Sequence, residues 1–334
     1  MSHSPSSHVS PASLDADGRL PSGPPPSEAL TTRPASILSG VVAVLRGFWS
    51  LVTINRKVMV GSGIVGFFVL VALFGPLFIR QNPLKYTFDL IDPPSSAHWL
   101  GTNLGGQDLF SQLVVGTRAS VFWAFFSGLL VLVISVTVGL VSGYFGGIVD
   151  DILSLLTSVF LVIPALPLAI VATQYFPRAE ITIAVIVALT NWPWGARVLR
   201  AQTLSMRSRE FVTAARAGGE RTWRVIFSEI LPNELSIVAA SFITTTIQVL
   251  LAVAGLEFLG LGDSSIVSWG TMLNGAYTSS ALILGAWWWF APPGLCIALL
   301  GAGLALLNFG IDEFADPRLR RERPAKAAQK KAVA

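Results

Sequence analysis

The sequence predicts an all-α polytopic membrane protein with six transmembrane helices. Three observations carry that expectation. First, 52% of the 334 residues are hydrophobic, only 13% are charged, and the mean hydropathy is +0.64, whereas a soluble domain carries about 25% charged residues. Such a chain has too few charges to cover its own surface in water, which excludes an ordinary soluble enzyme. Second, residues 119–149, 152–177 and 264–311 contain no Asp, Glu, Lys or Arg, and an uncharged apolar run of about 18 residues or more reads as a membrane span. Third, with the N-terminus placed inside, all but Arg80, Lys85, Arg118 and Arg178 of the 23 Lys and Arg residues fall on the cytoplasmic side. This asymmetry orients six spans with both ends in the cytoplasm.

The elements follow in order. Residues 1–36 are rich in Ser and Pro, with Pro24, Pro25 and Pro26 in a row, and have too little apolar surface to offset the entropy of ordering. They read as a disordered tail, and not as a signal peptide, because the first long apolar segment begins far too late. Residues 37–57 are apolar but interrupted by Arg46, and read as an interfacial pre-helix ending at Arg56 and Lys57. Spans are expected at about 58–79, 119–143, 152–175, 181–198, 235–256 and 282–308. Residues 58–118 then hold the first span and an external loop, 119–311 the core, and 312–334 a basic tail. The third span carries Pro164 and Pro167 and is expected to kink. The fourth contains Pro193, and Pro292 with Pro293 bends the sixth or marks its true start. Helices are the default because lipid offers the backbone no hydrogen-bond partners, and no dyad alternation points to a barrel.

A net charge of +4 and a pI near 9.5 raise nucleic acid as a partner in a soluble protein. Here the cytoplasmic placement of Lys and Arg accounts for them, and no nucleic acid is expected. Cys296 is the single cysteine, and His3, His8 and His98 are scattered, so neither a disulfide nor a metal site is expected. Within 200–233, by contrast, a polar segment has helical order. Phe211, Ala214, Ala215 and Gly218 recur at three- and four-residue spacing, one face of a helix. Glu210 complements the start of its dipole and Gly218-Gly219 ends it. A second short helix carries Trp223, Ile226, Phe227 and Ile230, and Pro232 begins a turn into the fifth span. Such a loop suits either docking into a groove of another protein or lying on lipid headgroups.

Other motifs have bland readings. Gly61-Ser-Gly63-Ile-Val-Gly66 fits a nucleotide fingerprint but lies inside a span, so close helix packing is expected. Gly139, Gly143 and Gly147 read the same way. Gly260-Leu-Gly262-Asp263 resembles an intramembrane aspartyl protease motif, yet no partner aspartate is evident mid-span. Glu257 stands at membrane depth and is a substrate-pathway candidate; the favoured alternative has it reach the outer interface or pair with Arg118. Asp150 and Asp151 suit a helix start. Trp287, Trp288 and Trp289 are expected in an outer aromatic belt rather than a stacking platform. No lysine follows a glycine, so a Walker A sequence is absent.

The loop 200–233 resembles the cytoplasmic EAA loop of permease subunits of ATP-binding-cassette importers. Ala214, Ala215 and Gly219 match its pattern, as do Leu231 and Pro232, while Thr213 stands in place of its glutamate. From Asn55 onward the chain resembles the second permease of dipeptide and oligopeptide importers. The likeness includes Asn55-Arg-Lys57, His98-Trp-Leu-Gly-Thr102, Gly116-Thr-Arg-Ala-Ser120, Phe258-Leu-Gly-Leu-Gly262, Ser268-Trp-Gly-Thr-Met272 and Asp316-Pro-Arg-Leu-Arg320. Departures fall at Gln107, where relatives carry arginine, at Leu155 and Ser158, which replace a basic and an acidic residue, and at Glu257, where serine is usual.

The resemblance implies a type I importer permease fold and a mechanical role without bond-making in this chain. It implies a prokaryotic cell membrane, with membrane lipid around the spans. Partners would be a second similar permease, two ATPase subunits and an extracytoplasmic solute-binding protein. No cofactor is expected in this chain, ATP being hydrolysed by the partners. Glu210, Ala214, Ala215, Arg216, Gly219, Leu231 and Pro232 would couple to the ATPase. Ala214 and Ala215 would allow close approach, Gly219 the turn, and Arg216 a salt bridge or polar contact. Related permeases carry peptides, oligosaccharides or nickel chelates. An alternative of another class, an ion-coupled secondary transporter, would want ionisable residues deep in the spans, which are nearly bare of them.

Overall fold

The computed structural model describes residues 56–79 and 82–315, with side chains through Gly310. The 1–36 tail, the body of the pre-helix and the tail from 316 onward lie outside the described residues. Five helices are long and apolar enough to cross a membrane, and a bent pair makes a sixth span if it is counted as one.

The first helix, α1 (Arg56–Phe74), takes up Arg56 and Lys57 and ends in a 3₁₀ turn at Gly75–Leu77. The second, α2 (Leu109–Phe145), begins ten residues earlier than its apolar run. Asp108 is the reason: its carboxylate accepts from the Ser111 N–H at 2.8 Å and caps the helix. Arg118 is thus inside the helix rather than before it. The third span divides into α3 (Gly147–Val162) and α4 (Ala165–Thr173), bent by 85°. Pro164 forces this break, because it pushes Ile163 out of the helical region to φ −76°, ψ 125°. The kink expected there is therefore a full interruption.

Helix α5 (Glu180–Met206) keeps Pro193 in its interior and runs past Val198 to the polar loop. There a short helix, α6 (Glu210–Ala217), is followed by one α turn at Thr222–Arg224 and a π turn at Val225–Ile230 that passes into α7 (Leu231–Phe258). Pro232 thus sits in the first turn of a continuous helix and does not begin a turn, contrary to expectation. Lacking an N–H, it cannot bond the Ser228 carbonyl, which loosens the ladder just upstream. The Asn233 side chain donates to the Glu229 carbonyl at 2.6 Å beside this irregularity.

A further helix, α8 (Trp269–Thr278), is capped by Ser268 and lies between α7 and the last helix, α9 (Trp287–Ala315). It was not expected from hydropathy. Helix α9 starts at Trp287, five residues after the apolar run begins, and carries Pro292 and Pro293 inside it.

Helix α2 packs along α5 and α7, and α9 along α1 and α7. Glycines set the closest approaches. A Cβ on Gly139 would lie 2.7 Å from the Leu199 Cβ, and one on Gly143 2.7 Å from the Thr203 Cβ. Only hydrogen fits between α2 and α5 there. Gly61 meets the Gly303 carbonyl of α9 in the same way, at 2.7 Å, so the packing reading of that glycine motif holds at Gly61. Gly147 has no neighbour within 4 Å and opens α3 instead, at φ +55°.

The trio of tryptophans divides by depth. Trp287 is exposed, Trp288 half-buried with its Nε1 donating to the Thr102 carbonyl at 3.5 Å, and Trp289 buried in the core. Trp287 alone fits a membrane belt; Trp288 ties the loop at 82–108 to α9, and Trp289 packs in the core with Leu109, Met272 and Ala276.

Candidate coupling site

The loop between α5 and α7 is built on a small apolar core. Val212, on the inner side of α6, is fully buried with Val225, Ile226 and Ile230 of the π turn, Tyr144 and Leu140 of α2, and Leu199 of α5. Ala215 and Leu231 pack on this cluster from its edge. The inner face of α6 is therefore Val212 and Ala215, while Phe211, Ala214 and Gly218 are exposed. This corrects the single small-residue face expected from spacing. The stripe splits, and Ala214 belongs to the outward side while Ala215 faces the protein.

Glu210 lies in the first turn of α6 and Arg216 in the last, both favourable to the helix dipole. The end of α6 is a Schellman turn: the Glu220 N–H donates to the Ala215 carbonyl at 3.2 Å, and the Gly219 N–H to the Arg216 carbonyl at 3.0 Å. Gly219 takes φ +78°, a backbone region that costs other L residues about 1–2 kcal/mol. The expected glycine stop is therefore present, and its requirement is conformational.

Arg216 is held within the chain. Its Nε donates to the Tyr144 hydroxyl at 3.1 Å, and the guanidinium lies 4.5 Å above the same ring. Arg207 donates to the Tyr144 carbonyl at 3.3 Å. Two side chains thus fasten the loop to the end of α2. Next to them, Arg200 of α5 grips Asp150 of α3 with two hydrogen bonds, 2.5 and 2.7 Å long, a bidentate geometry. Asp150 is indeed at a helix start, and its main partner is this guanidinium. Thr203 donates to buried Glu234 at 3.1 Å, joining α5 to the first turn of α7. Displacement of α6 would therefore be transmitted to α2, α5 and α7 together.

The outward surface around α6 is aromatic as well as small. Trp223 and Phe227 are 56% and 52% exposed. Their rings stack at 6.0 Å, and Phe145 sits edge-on to Trp223 at 6.2 Å. Helical spacing identifies Trp223 and Phe227, but their exposure was not legible beside Ile226 and Ile230.

At the far end of the bundle, Glu257 is 1% exposed and accepts from the Ser268 hydroxyl at 2.6 Å. The carboxyl of Glu180 lies beside it. This corrects the expectation that Glu257 reaches the interface or Arg118: α8 covers it, and Arg118 stays exposed. A Cβ on Gly270 would fall 2.3 Å from the Glu257 carboxylate, so the glycine after Ser268-Trp269 is required by this packing. The Trp269 N–H donates to Ser120 at 2.9 Å. The separate motifs around Ser120, Glu257 and Ser268 therefore meet as one joint. Asp263 lies in the turn outside α7, where the Ser265 hydroxyl and N–H hold its carboxyl below its ordinary range. Gln107 is buried and bonded to Asn103 and Gln112 in the loop before α2.

Residues 135–321 match the family described as "Binding-protein-dependent transport system inner membrane component". That stretch takes in the C-terminal end of α2, the whole α6 loop and α9. The chain is 32% identical over 272 residues to the oligopeptide transport system permease protein OppC of Bacillus subtilis (strain 168), covering 80% of this chain and 87% of that one. It is 30% identical over 306 residues to the dipeptide transport system permease protein DppC of Alkalihalophilus pseudofirmus, covering 90% and 95%. A glutathione transport system permease protein, GsiD of Pectobacterium atrosepticum, is 30% identical over 300 residues, covering 87% and 97%. With a bundle of membrane-crossing helices and a fastened loop between the fourth and fifth spans, the chain belongs to the inner-membrane permease components of binding-protein-dependent transport systems.

Proposed function

We propose that this chain is a permease subunit of an ATP-driven importer of dipeptides and oligopeptides. It forms the translocation pathway with a second permease, and a solute-binding protein delivers the peptide from outside. The loop end of the bundle faces the cytoplasm, a reading supported by the placement of Lys and Arg. There α6 is the coupling helix and seats in a cleft of a separate ATPase subunit. Hydrolysis of ATP takes place on that partner.

The observation that carries this reading is the attachment of α6. A passive surface helix needs only an apolar side toward headgroups. This one buries Val212 completely and ties Arg216 to Tyr144, so that force on it reaches the ends of three spans. Ala214 and Gly218 leave the outward side low enough for close approach. Gly219 supplies the turn, Glu210 and Arg216 the favourable helix ends, and Leu231-Pro232 the junction with α7. The relatives named for dipeptides and oligopeptides support peptides as the cargo.

The test is uptake into proteoliposomes carrying the complete importer, offered labelled di- and oligopeptides, an oligosaccharide and a nickel chelate. Peptide uptake that needs ATP and ignores an imposed proton or sodium gradient is expected. Uptake driven by the gradient without ATP would replace this reading with secondary transport, and uptake of the sugar or chelate alone would replace the cargo.

A further inference from the structure

Hydroxyl groups inside membrane helices normally bond back to their own helix, because lipid offers no other partner. This chain follows that rule repeatedly. Thr117, Thr137, Thr157, Thr190 and Thr246 each donate to a carbonyl four residues earlier, at 2.7–3.0 Å. Four polar residues in the middle of α7 depart from it, as does Ser236 nearer its start. Ser241, Thr244, Thr245 and Gln248 make no side-chain hydrogen bond among the described residues, and none of them is fully buried.

Their spacing is i, i+3, i+4 and i+7, which places them on one face of the helix. Thr244 and Thr245 are the midpoint of the 28-residue α7, about 20 Å from either end at 1.5 Å per residue. Ser241, Thr244 and Thr245 line a cavity of about 300 Å³ between α5, α7 and α9, with Trp194, Ser236 and Asn308 also in its wall; Gln248 continues the face beyond it and is exposed. Asn308 reaches it from α9, and its side-chain oxygen is buried without a hydrogen-bond donor. Trp194 is 60% exposed. An uncharged polar stripe at mid-membrane, with an orphaned amide oxygen beside it, has no reason to face hydrocarbon.

We propose that the Ser241, Thr244, Thr245 and Gln248 face of α7, with Asn308, is this chain's wall of the translocation pathway and hydrogen-bonds the main-chain amides of a passing peptide. The proposal rests on the importer reading above and names the site that reading leaves open. Its chemistry fits the cargo class. Hydroxyls and carboxamides both donate and accept, and a hydroxyl rotates to suit its partner. Every peptide bond offers one N–H and one C=O whatever its side chains. A wall of this kind therefore serves many sequences, and without charges it does not hold one of them tightly. This favours peptide over a polar helix of the second permease, which would satisfy the stripe permanently and leave no path.

Two measurements on the assembled importer in proteoliposomes test it. Thr245→Cys in a Cys296→Ser background is treated with a water-soluble maleimide, with and without saturating trialanine during ATP turnover. Alkylation is expected, slowed several-fold by the peptide. A cysteine that reacts only after the second permease is dissociated would show a subunit contact, and one that reacts only with a lipid-soluble reagent would show a lipid face. Either result overturns the proposal. Thr244→Val, Thr245→Val and Gln248→Leu together should slow trialanine uptake about tenfold, as removal of one or two hydrogen bonds does, while ATP hydrolysis is still stimulated by the loaded binding protein. Unchanged uptake also overturns it. If the unmodified importer fails to move peptide with ATP, the importer reading falls instead, and the labelling still reports whether the face is wet.

Discussion

Gly219 offers the sharpest quantitative prediction. It occupies φ +78° at the end of α6, and a Cβ added there would meet no atom of this chain within 4 Å. Within the chain, Gly219→Ala therefore carries a backbone cost alone, about 1–2 kcal/mol, or a factor of about 5–30 in the population of the closed turn. Asparagine visits the same region more readily, so Gly219→Asn isolates conformation from size. The assay is the initial rate of ATP-driven peptide uptake by proteoliposomes, normalised to the permease incorporated. Gly219→Ala is expected to lower the rate by up to that factor, Gly219→Asn to recover most of it, and Gly219→Trp to abolish uptake while the protein remains in the membrane. Asparagine as damaging as alanine would mean that clearance to the ATPase, rather than the turn, requires glycine. Wild-type rates for both alanine and tryptophan would refute the coupling assignment.

Three further predictions concern the scaffold. Val212→Ala removes two buried carbons under α6 and should cost about 2 kcal/mol, read as a lower unfolding midpoint of the detergent-solubilised protein with looser attachment of the loop by proteolysis. Gly143→Val sets a branched side chain where even a Cβ lies 2.7 Å from Thr203, and overpacking of this kind should cost about 1–3 kcal/mol, read by the same thermal assay, whereas Gly63→Ala, which meets nothing within 4 Å, should be neutral. Ser268→Ala removes the cap of α8 and the hydroxyl that donates to Glu257, about 1–2 kcal/mol, and should make the segment between α7 and α9 more sensitive to protease.

Much of this architecture is legible in the sequence because lipid imposes a long uncharged run on each span. Charge asymmetry and the helical spacing of 210–219 located the loop in the same way. Reading failed where charge was taken as a boundary. Arg118 was treated as the start of α2, although the Asp108 and Ser111 pair marks the real cap ten residues earlier. Hydropathy also hid α8, since its run continues without a charge into α9. The cap at Ser268 and the spacing of Trp269, Met272 and Ala276 were the available signals. The bend at Pro164 was legible as a kink, but its angle depends on what packs around α3 and α4. The split of the α6 face was not legible, because only the fold decides that Ala215 and not Ala214 meets the Val212 cluster. The same holds for Glu257. Its partner Ser268 is close in sequence, yet Glu180 comes from another span, and nothing local announces that the two meet.

The central claim is that the outward side of α6 is the seat of an ATPase. It is tested most directly by Ala214→Cys in a Cys296→Ser background, treated with a short bifunctional crosslinker in the assembled importer. The account expects a crosslink to the ATPase subunit in high yield, with a yield that changes between nucleotide-free and ATP-bound states. A cysteine at 214 that crosslinks only to lipid or to nothing, in an importer that still moves peptide with ATP, would contradict it.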